Sequence, residues 1–286
     1  MLPRRSDGFP VGKLSPMRRM MPYILRTRNE SCVYFEQRLK LQKTLEYVRT
    51  LNERSGANPK HAVNVFHVLL AAAARVFAER PELNRFVLGR RIYQRKHIEF
   101  SFAVKKEFSD RGALTTTKLR FSGDESVAEV AQKTREAVAV GRSDKKSQAD
   151  KEMSVLVWLP GFLLRAILWL QRTLDRFNVL PSALTASDPL YASLFFANLG
   201  SIGLDSAYHH LFEYGTVSFF AVLGTIGPMS FVEEETERLC VLPGVSIKYT
   251  FDERITDGYY CARSLELLKH YLENPDALEK AESSPS

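Results

Sequence analysis

Two histidines adjoin at only one place in this chain, in Tyr208-His209-His210. An imidazole titrates near 6.5, so either ring suits general acid–base work at neutral pH. Adjacent side chains project in different directions, which leaves at most one of the two for a given proton transfer. As a metal site the pair lacks a third ligand at a helpful spacing, and no metal is expected. The three cysteines, Cys32, Cys240 and Cys261, are odd in number and widely spaced, which fits neither a disulfide framework nor a zinc site and points to a reducing compartment. A further grouping is cationic. Up to residue 28 the chain carries Arg4, Arg5, Lys13, Arg18, Arg19, Arg26 and Arg28 against the single acid Asp7, within a net charge of +7. Such a cluster suits a phosphorylated ligand, an acidic partner or anionic lipid, or else serves as a solubilising tail. Nucleic acid is not expected as a partner, because the chain has no zinc spacing, no RRM-type aromatic motif and no basic helix with interleaved aromatics.

The elements that position these residues follow from periodicity. At 286 residues, 45% hydrophobic and 26% charged, the chain is long enough to bury a sizeable core. Residues 31–39 are rich in β-formers, and 41–54 place Leu41, Leu45, Val48 and Leu51 at helical spacing before Gly56 stops the run. After Pro59, HAVNVFHVLLAAAARVFAERP is apolar on nearly every side and reads as a helix buried against a sheet, with His61 and His67 as core or edge histidines on it. A hairpin follows at Gly89-Arg90, then HIEFSFAV with Ile98, Phe100 and Phe102 in the period of a half-buried strand. Residues 115–121 extend the hairpin region. Ser126 with Glu129 forms a capping box that opens a helix over 126–141.

The polar stretch 142–152 reads as a linker or loop, and 153–171 then holds Arg165 as its only charge, which raises the question of a membrane span. Pro160-Gly161 breaks that run. From 161 to 178, Arg165, Gln171, Arg172, Asp175, Arg176 and Asn178 gather on one side of a helix, so an amphipathic helix is expected whose apolar face is core, a wall for an acyl chain, or a membrane-surface contact made through 153–178. Beyond Pro189 the chain turns to strands again, among them 245–251 with Val245, Ile247, Tyr249 and Phe251 on one face. A last helix over 258–272 carries Ala262, Leu265, Leu268 and Leu272. Strands and helices mix without a βαβ repeat, so a mixed or antiparallel sheet flanked by helices is expected. Charge and proline at the N-terminus argue against a signal peptide, and a cytoplasmic protein is expected.

The segment VSIKYTFDERITDGYYCARSLELLKHYLENP resembles the C-terminal signature of the dihydrolipoyl acyltransferases, the 2-oxoacid dehydrogenase acyltransferase catalytic domain. That signature runs strand, aspartate-histidine-arginine, two residues, aspartate-glycine, helix, proline. Here it is Asp252, Glu253, Arg254, Ile255, Thr256, Asp257, Gly258, with Glu253 at the histidine position. SLFFANLGSIG (193–203) is similar to the family's serine-asparagine-leucine-glycine strand, HIEFSFAV to its strand ending in alanine-valine, and KLSPMRRMMPYIL to its opening segment. The resemblance covers about 12–278 and implies one α/β (α+β) domain with a chloramphenicol-acetyltransferase-like mixed sheet, between a basic tail over 1–11 and a C-terminal tail over 279–286. With no lipoyl or peripheral-subunit-binding domain ahead of it, the chain is expected to be the catalytic module alone.

What the resemblance implies for chemistry is acyl transfer between a thioester and coenzyme A or a lipoyl or phosphopantetheine arm, in a homotrimer with channels between subunits. In the family a histidine deprotonates the attacking thiol or hydroxyl and a serine donates to the oxyanion; here Glu253 and Ala197 stand at those positions, while Asp257 keeps a structural role. A carboxylate near 4.3 is about two units worse matched than imidazole as base for a thiol near 8.5, or about 3 kcal/mol, which burial can recover. Losing one oxyanion donor costs roughly 2.7–4 kcal/mol. The candidates for the catalytic site are thus Glu253 and Asp257, with Asn198 or the amides near Gly200 as replacement donors and His209 or His210 as a replacement base. Arg18, Arg19, Gly200 and Ser201 are the candidates to hold coenzyme A or acyl-coenzyme A, and a lipoyl- or acyl-carrier protein is the candidate partner. The alternatives are a catalytically inactive homologue, a pseudoenzyme kept as a trimeric scaffold or ligand-binding protein, and a peripheral membrane protein.

Overall fold

Val245, Ile247, Tyr249 and Phe251 take every second position of a run, and in the computed structural model they line the buried face of the longest strand, β10 (Leu239–Asp252). The structure describes residues 5–56, 58, 61–105, 114–142, 158–233 and 235–279, without the side chains of 105, 114 and 142; the polar stretch 143–152 and the apolar residues 153–157 lie outside. The main sheet runs β2 (Cys32–Lys40), β10, β8 (Phe219–Leu223), β7 (Leu194–Asn198), β5 (Ile98–Lys105), β6 (Leu114–Phe121), with β9 (Gly227–Val232) folded back on the first half of β10. β7 runs parallel to both β5 and β8, and the other pairings are antiparallel, so the sheet is mixed. A smaller sheet joins β1 (Gly8–Pro10), β4 (Arg91–Arg95) and β3 (Arg85–Leu88). The β3–β4 turn holds Gly89 and Arg90 both at positive φ, 55° and 63°, as a two-residue hairpin of matching twist requires.

The described α-helices are α1 (Pro16–Ile24), α2 (Gln42–Ser55), α3 (Val65–Glu79), α4 (Val127–Arg142), α5 (Gly161–Arg176), α6 (Ser182–Ser187) and α7 (Gly258–Glu273), with short 3-10 turns between elements. α2, α3, α4 and α7 pack together on the face of the sheet that carries Phe100, Phe102, Phe196, Phe219, Ile247 and Tyr249, all buried. The Ala71–Ala74 run lets α3 approach its neighbours closely, which is why that helix is buried almost all round. A second apolar cluster, with Phe195, Leu211, Val217, Phe220 and Val222, covers the opposite face.

Several sequence expectations change in detail. α3 begins at Val65 behind Asn64, so His61 precedes it and is exposed; His67 is buried and its Nδ1 accepts the Asn64 amide while its own amide donates to Asn64 Oδ1. On α7 the buried stripe is Cys261, Ser264, Leu265, Leu268 and Leu272, and Ala262 faces out. β9 was not expected, because its alternation is confined to a short segment with exposed residues. Residues 5–10, expected as tail, belong to the domain: Arg5 is buried and bonds both Asp7 oxygens and Asp175 Oδ1, and β1 pairs with β4. α5 is the amphipathic helix expected, and of the three roles open to its apolar face, core is the one it does not take: Gln171 and Asp175 turn to the protein and the arginines outward, while much of its apolar surface is exposed. Among the described residues no helix is long and apolar enough to cross a membrane.

Candidate functional site

β10 ends at Asp252, whose carboxylate is fully buried and would be costly without a partner. Arg254 supplies it: Nε donates to Oδ1 at 2.8 Å and Nη2 to Oδ2 at 2.7 Å, a two-point pairing that closes the turn onto the strand. The same guanidinium reaches back through Nη1 to the carbonyls of Leu25 and Arg26. Arg18, from α1, donates to the carbonyls of Glu253 (2.5 Å) and Thr256 (3.0 Å), and the Glu253 amide donates to the Ser31 carbonyl. Asp257 is the N-cap of α7, accepting the Tyr260 amide at 2.8 Å. Every residue around 253 is thus committed to bracing, while the half-buried carboxylate of Glu253 makes no hydrogen bond or ion pair among the described residues. The guanidinium of Arg28, buried nearby, donates to the carbonyls of Phe212 and Gly215, and burial holds its pKa below the usual arginine range.

His209 lies on the sheet face away from the helices. Its ring stacks on Phe220 with centroids 4.0 Å apart and planes 8° apart, and His210 lies 4.6 Å beyond. Nδ1 sits 2.6 Å from the His210 carbonyl, which can only accept, so Nδ1 carries the proton and the neutral ring keeps its lone pair on Nε2. Burial lowers its pKa, which keeps it a base at neutral pH. His210 is exposed. Thr250 Oγ1 donates to the His209 carbonyl, tying this loop to β10 three positions before Glu253.

Asn198 and Ser201 bond to each other: Asn198 Oδ1 accepts the Ser201 amide and its carbonyl accepts the Ser201 hydroxyl. At Gly200 a Cβ would lie 2.3 Å from the Gly224 carbonyl oxygen, so glycine is demanded by close packing of two loops.

The family model of the 2-oxoacid dehydrogenases acyltransferase (catalytic domain) matches residues 9–155, just over half of the chain. The chain belongs to this family. No curated protein sequence matches it. Among solved structures, a probable dihydrolipoamide acetyltransferase of Listeria monocytogenes aligns over 96% of this chain and 97% of its own, with a TM-score of 0.61 at 14% identity. The cubic core of the pyruvate dehydrogenase multienzyme complex aligns over 94% of both chains at 0.58 and 15%. Chloramphenicol acetyltransferase aligns over 95% of this chain and 100% of its own at 0.54 and 13%. Likeness at such identities speaks for the fold, which is the chloramphenicol-acetyltransferase-like mixed sheet flanked by helices.

The family match ends at residue 155, ahead of both the end of β7 and the turn at 252–258. Within one chain the candidate residues fall into two groups. Glu253, Asp257, Arg18 and Arg19 gather around the end of β10, with Arg18 spent on backbone carbonyls and Arg19 exposed. Ala197, Asn198, Gly200 and Ser201 lie at the end of β7: Ala197 pairs with Val222, which pairs with Lys248, five positions short of Glu253 and so about 16 Å away along the strand. His209 falls between, over Thr250. Sequence reasoning missed the residues around the histidine loop. Cys32 and Tyr34 alternate on β2 toward that face, Tyr34 meets Tyr208 edge-on at 5.6 Å, and Lys248 sits 5.0 Å over the Tyr208 ring. Their signal was the period-two spacing of 32, 34 and 36, weak because Cys32 is only partly buried and Tyr34 and Glu36 are exposed. Burial raises the Cys32 thiol pKa, so that thiol is a poor nucleophile. Among the described residues no three His, Cys, Asp or Glu side chains come together to hold a metal ion.

Proposed function

We propose that this protein transfers an acyl group between a thioester and a thiol-bearing carrier, coenzyme A or a lipoyl or phosphopantetheine arm, at a site shared between copies of the chain. The observation that carries the reading is the 252–258 turn, where ion pair, cap and arginine clamp brace the backbone and leave one uncommitted carboxylate, Glu253, to act. In the step proposed, Glu253 takes the proton of the acceptor thiol as its sulfur attacks the thioester carbonyl. The tetrahedral intermediate then expels the donor sulfur, which receives that proton, so one C–S bond forms and one breaks. His209 is the alternative base, because its Nε2 holds the lone pair. The separation of the two groups along the sheet favours a homotrimer, in which the β7 end of one copy faces the β10 end of the next; the cubic core cited above is an assembly of a related fold. Of the residues proposed to bind coenzyme A, Arg19 has its guanidinium exposed for phosphate, whereas Gly200 and Ser201 would contribute through the shape of their turn.

The test is formation of free coenzyme A and acyl-dihydrolipoamide, resolved from the reactants by chromatography, by purified protein across a panel of acyl-coenzyme A donors with dihydrolipoamide as acceptor. Turnover that Glu253→Gln removes assigns the base to Glu253; turnover that His209→Ala removes assigns it to the histidine. One observation favours a second reading, an inactive homologue serving as scaffold or ligand-binding protein: Ala197 offers no oxyanion donor, and Ser201 gives both its amide and its hydroxyl to Asn198, which leaves the Asn198 side-chain amide as the donor of that turn. Absence of turnover with both acyl-coenzyme A and acyl-lipoyl donors decides for it.

A further inference from the structure

α5 is attached to the domain in an unusual way. Leu164, Leu168, Gln171 and Asp175, at i, i+4, i+7 and i+11, form its inward strip, and the strongest anchors are polar. Asp175 is buried between Arg5 Nη1 (2.6 Å) and the Tyr191 hydroxyl (2.8 Å), and Gln171 Nε2 donates to the Tyr214 hydroxyl. The outward surface is the apolar one. Trp158 is 89% exposed, Phe162 70% and Trp169 67%, with Leu163 and Leu170 beside them. Arg165, Arg172 and Arg176 run along one edge of this sector at i, i+7 and i+11 and are exposed. Between 158 and 187 the only acid is Asp175, which is buried and paired, so the exposed surface of the segment carries positive charge alone.

This surface continues past the β3–β4 turn. A Cβ on Gly89 would meet Arg176 Cγ at 2.9 Å, and the Arg90 guanidinium lies 5.5 Å from the ring centroid of Tyr23 on α1. α1 exposes Met17, Met20, Tyr23 and Ile24, and no acid occurs between residues 8 and 29. Two neighbouring helices therefore present large apolar side chains with arginines and without carboxylates.

We propose that the outward face of α5, with Trp158, docks on an anionic lipid surface. The helix is about 24 Å long and lies along the surface as an interfacial element, its apolar sector entering the acyl boundary and its arginine edge meeting lipid phosphates. Charge selects this occupant. A second copy of the same face, related by a twofold axis, would set arginine against arginine with no exposed acid to compensate. Tryptophan, Phe and Leu beside arginine is the composition that an interfacial helix needs, since the indole is content at the headgroup level.

The chain has two tryptophans, Trp158 and Trp169, and both lie on the proposed contact, so intrinsic fluorescence of the full chain reads it directly. The protein is titrated with vesicles of phosphatidylcholine and with vesicles of phosphatidylcholine mixed with phosphatidylglycerol, and pelleting is measured in parallel. The expected result is a blue shift and pelleting with the anionic vesicles, reversed by high salt. Neutralising arginines weakens partitioning by about fivefold for each one removed, read in Arg165→Gln and Arg172→Gln. Phe162→Glu abolishes binding while circular dichroism and melting stay as in the parent, because that side chain is exposed. The proposal is overturned if neither vesicle shifts the emission, if both bind equally, or if the variants bind as the parent does. It is also overturned if the emission is already blue in buffer and Phe162→Glu dissociates an oligomer, in which case a second copy covers this face.

Discussion

Replacing Arg254 with Met tests whether the 252–258 turn is a braced presenting device. The substitution keeps an unbranched apolar stem and removes the two-point bond to Asp252, leaving a carboxylate of 0% exposure without its counter-ion. Truncating one partner of such a pair costs about 3–5 kcal/mol, and the carbonyls of Leu25 and Arg26 lose their donor as well. For a chain of this size that is a fall in melting temperature on the order of 10 °C. The assay is thermal and urea unfolding at one fixed protein concentration, since self-association shifts apparent stability. Asp252→Asn with Arg254→Met removes the stranded charge and recovers part of the loss, which separates burial of an unpaired ion from loss of packing. Glu253 is presented by this turn, so thioester turnover in Arg254→Met falls even below its melting temperature. A variant that melts within about 0.5 kcal/mol of the parent refutes the reasoning, because a surface-like effect of that size means the pair is solvated.

Glu253→Gln, at a half-buried side chain without a partner among the described residues, leaves the melting temperature unchanged and lowers turnover by about 10²–10⁴-fold, measured as formation of free coenzyme A by chromatography; an unchanged rate moves the base to His209. Gly200→Ala places a Cβ 2.3 Å from the Gly224 oxygen and costs about 1–3 kcal/mol by overpacking, read in urea. Burial, with Arg135 adding a smaller effect, lowers the pKa of His67 to about 4 from 6.5. Between those values the unfolded chain binds the extra proton, so stability is full above pH 6.5 and falls as the pH drops toward 4. The reason is local, because a protonated Nδ1 can no longer accept the Asn64 amide. His67→Gln flattens this part of the stability profile, and an unaltered slope counts against the assignment.

Much of the architecture was legible along the chain. Period-two runs marked β5 and β10, the Gly89-Arg90 pair marked its hairpin, and Ser126 with Glu129 marked the start of α4, whose hydroxyl and carboxylate do exchange bonds with the two backbone amides. These features are local: a strand face, a turn and a cap are each decided by neighbours a few residues apart, and the order of residues is enough to specify them. The spacing Asp252-x-Arg254-x-x-Asp257-Gly258 was legible for the same reason, since the ion pair and the cap it encodes span six residues.

Other facts needed the three-dimensional arrangement. The opening residues read as a basic tail, yet Arg5 crosses 170 positions to neutralise Asp175. Arg18 read as a phosphate ligand and instead holds carbonyls 235 and 238 positions away. The period of α5 revealed an apolar and a polar side without telling which one the domain would claim, and a few buried polar bonds turned the apolar side outward. Sequence by itself determined the elements, the braced turn and the family, because each is written in short-range pattern. The tertiary structure alone decided which charges are spent on the scaffold and which face remains for a partner, because burial and pairing depend on residues that chain order keeps far apart.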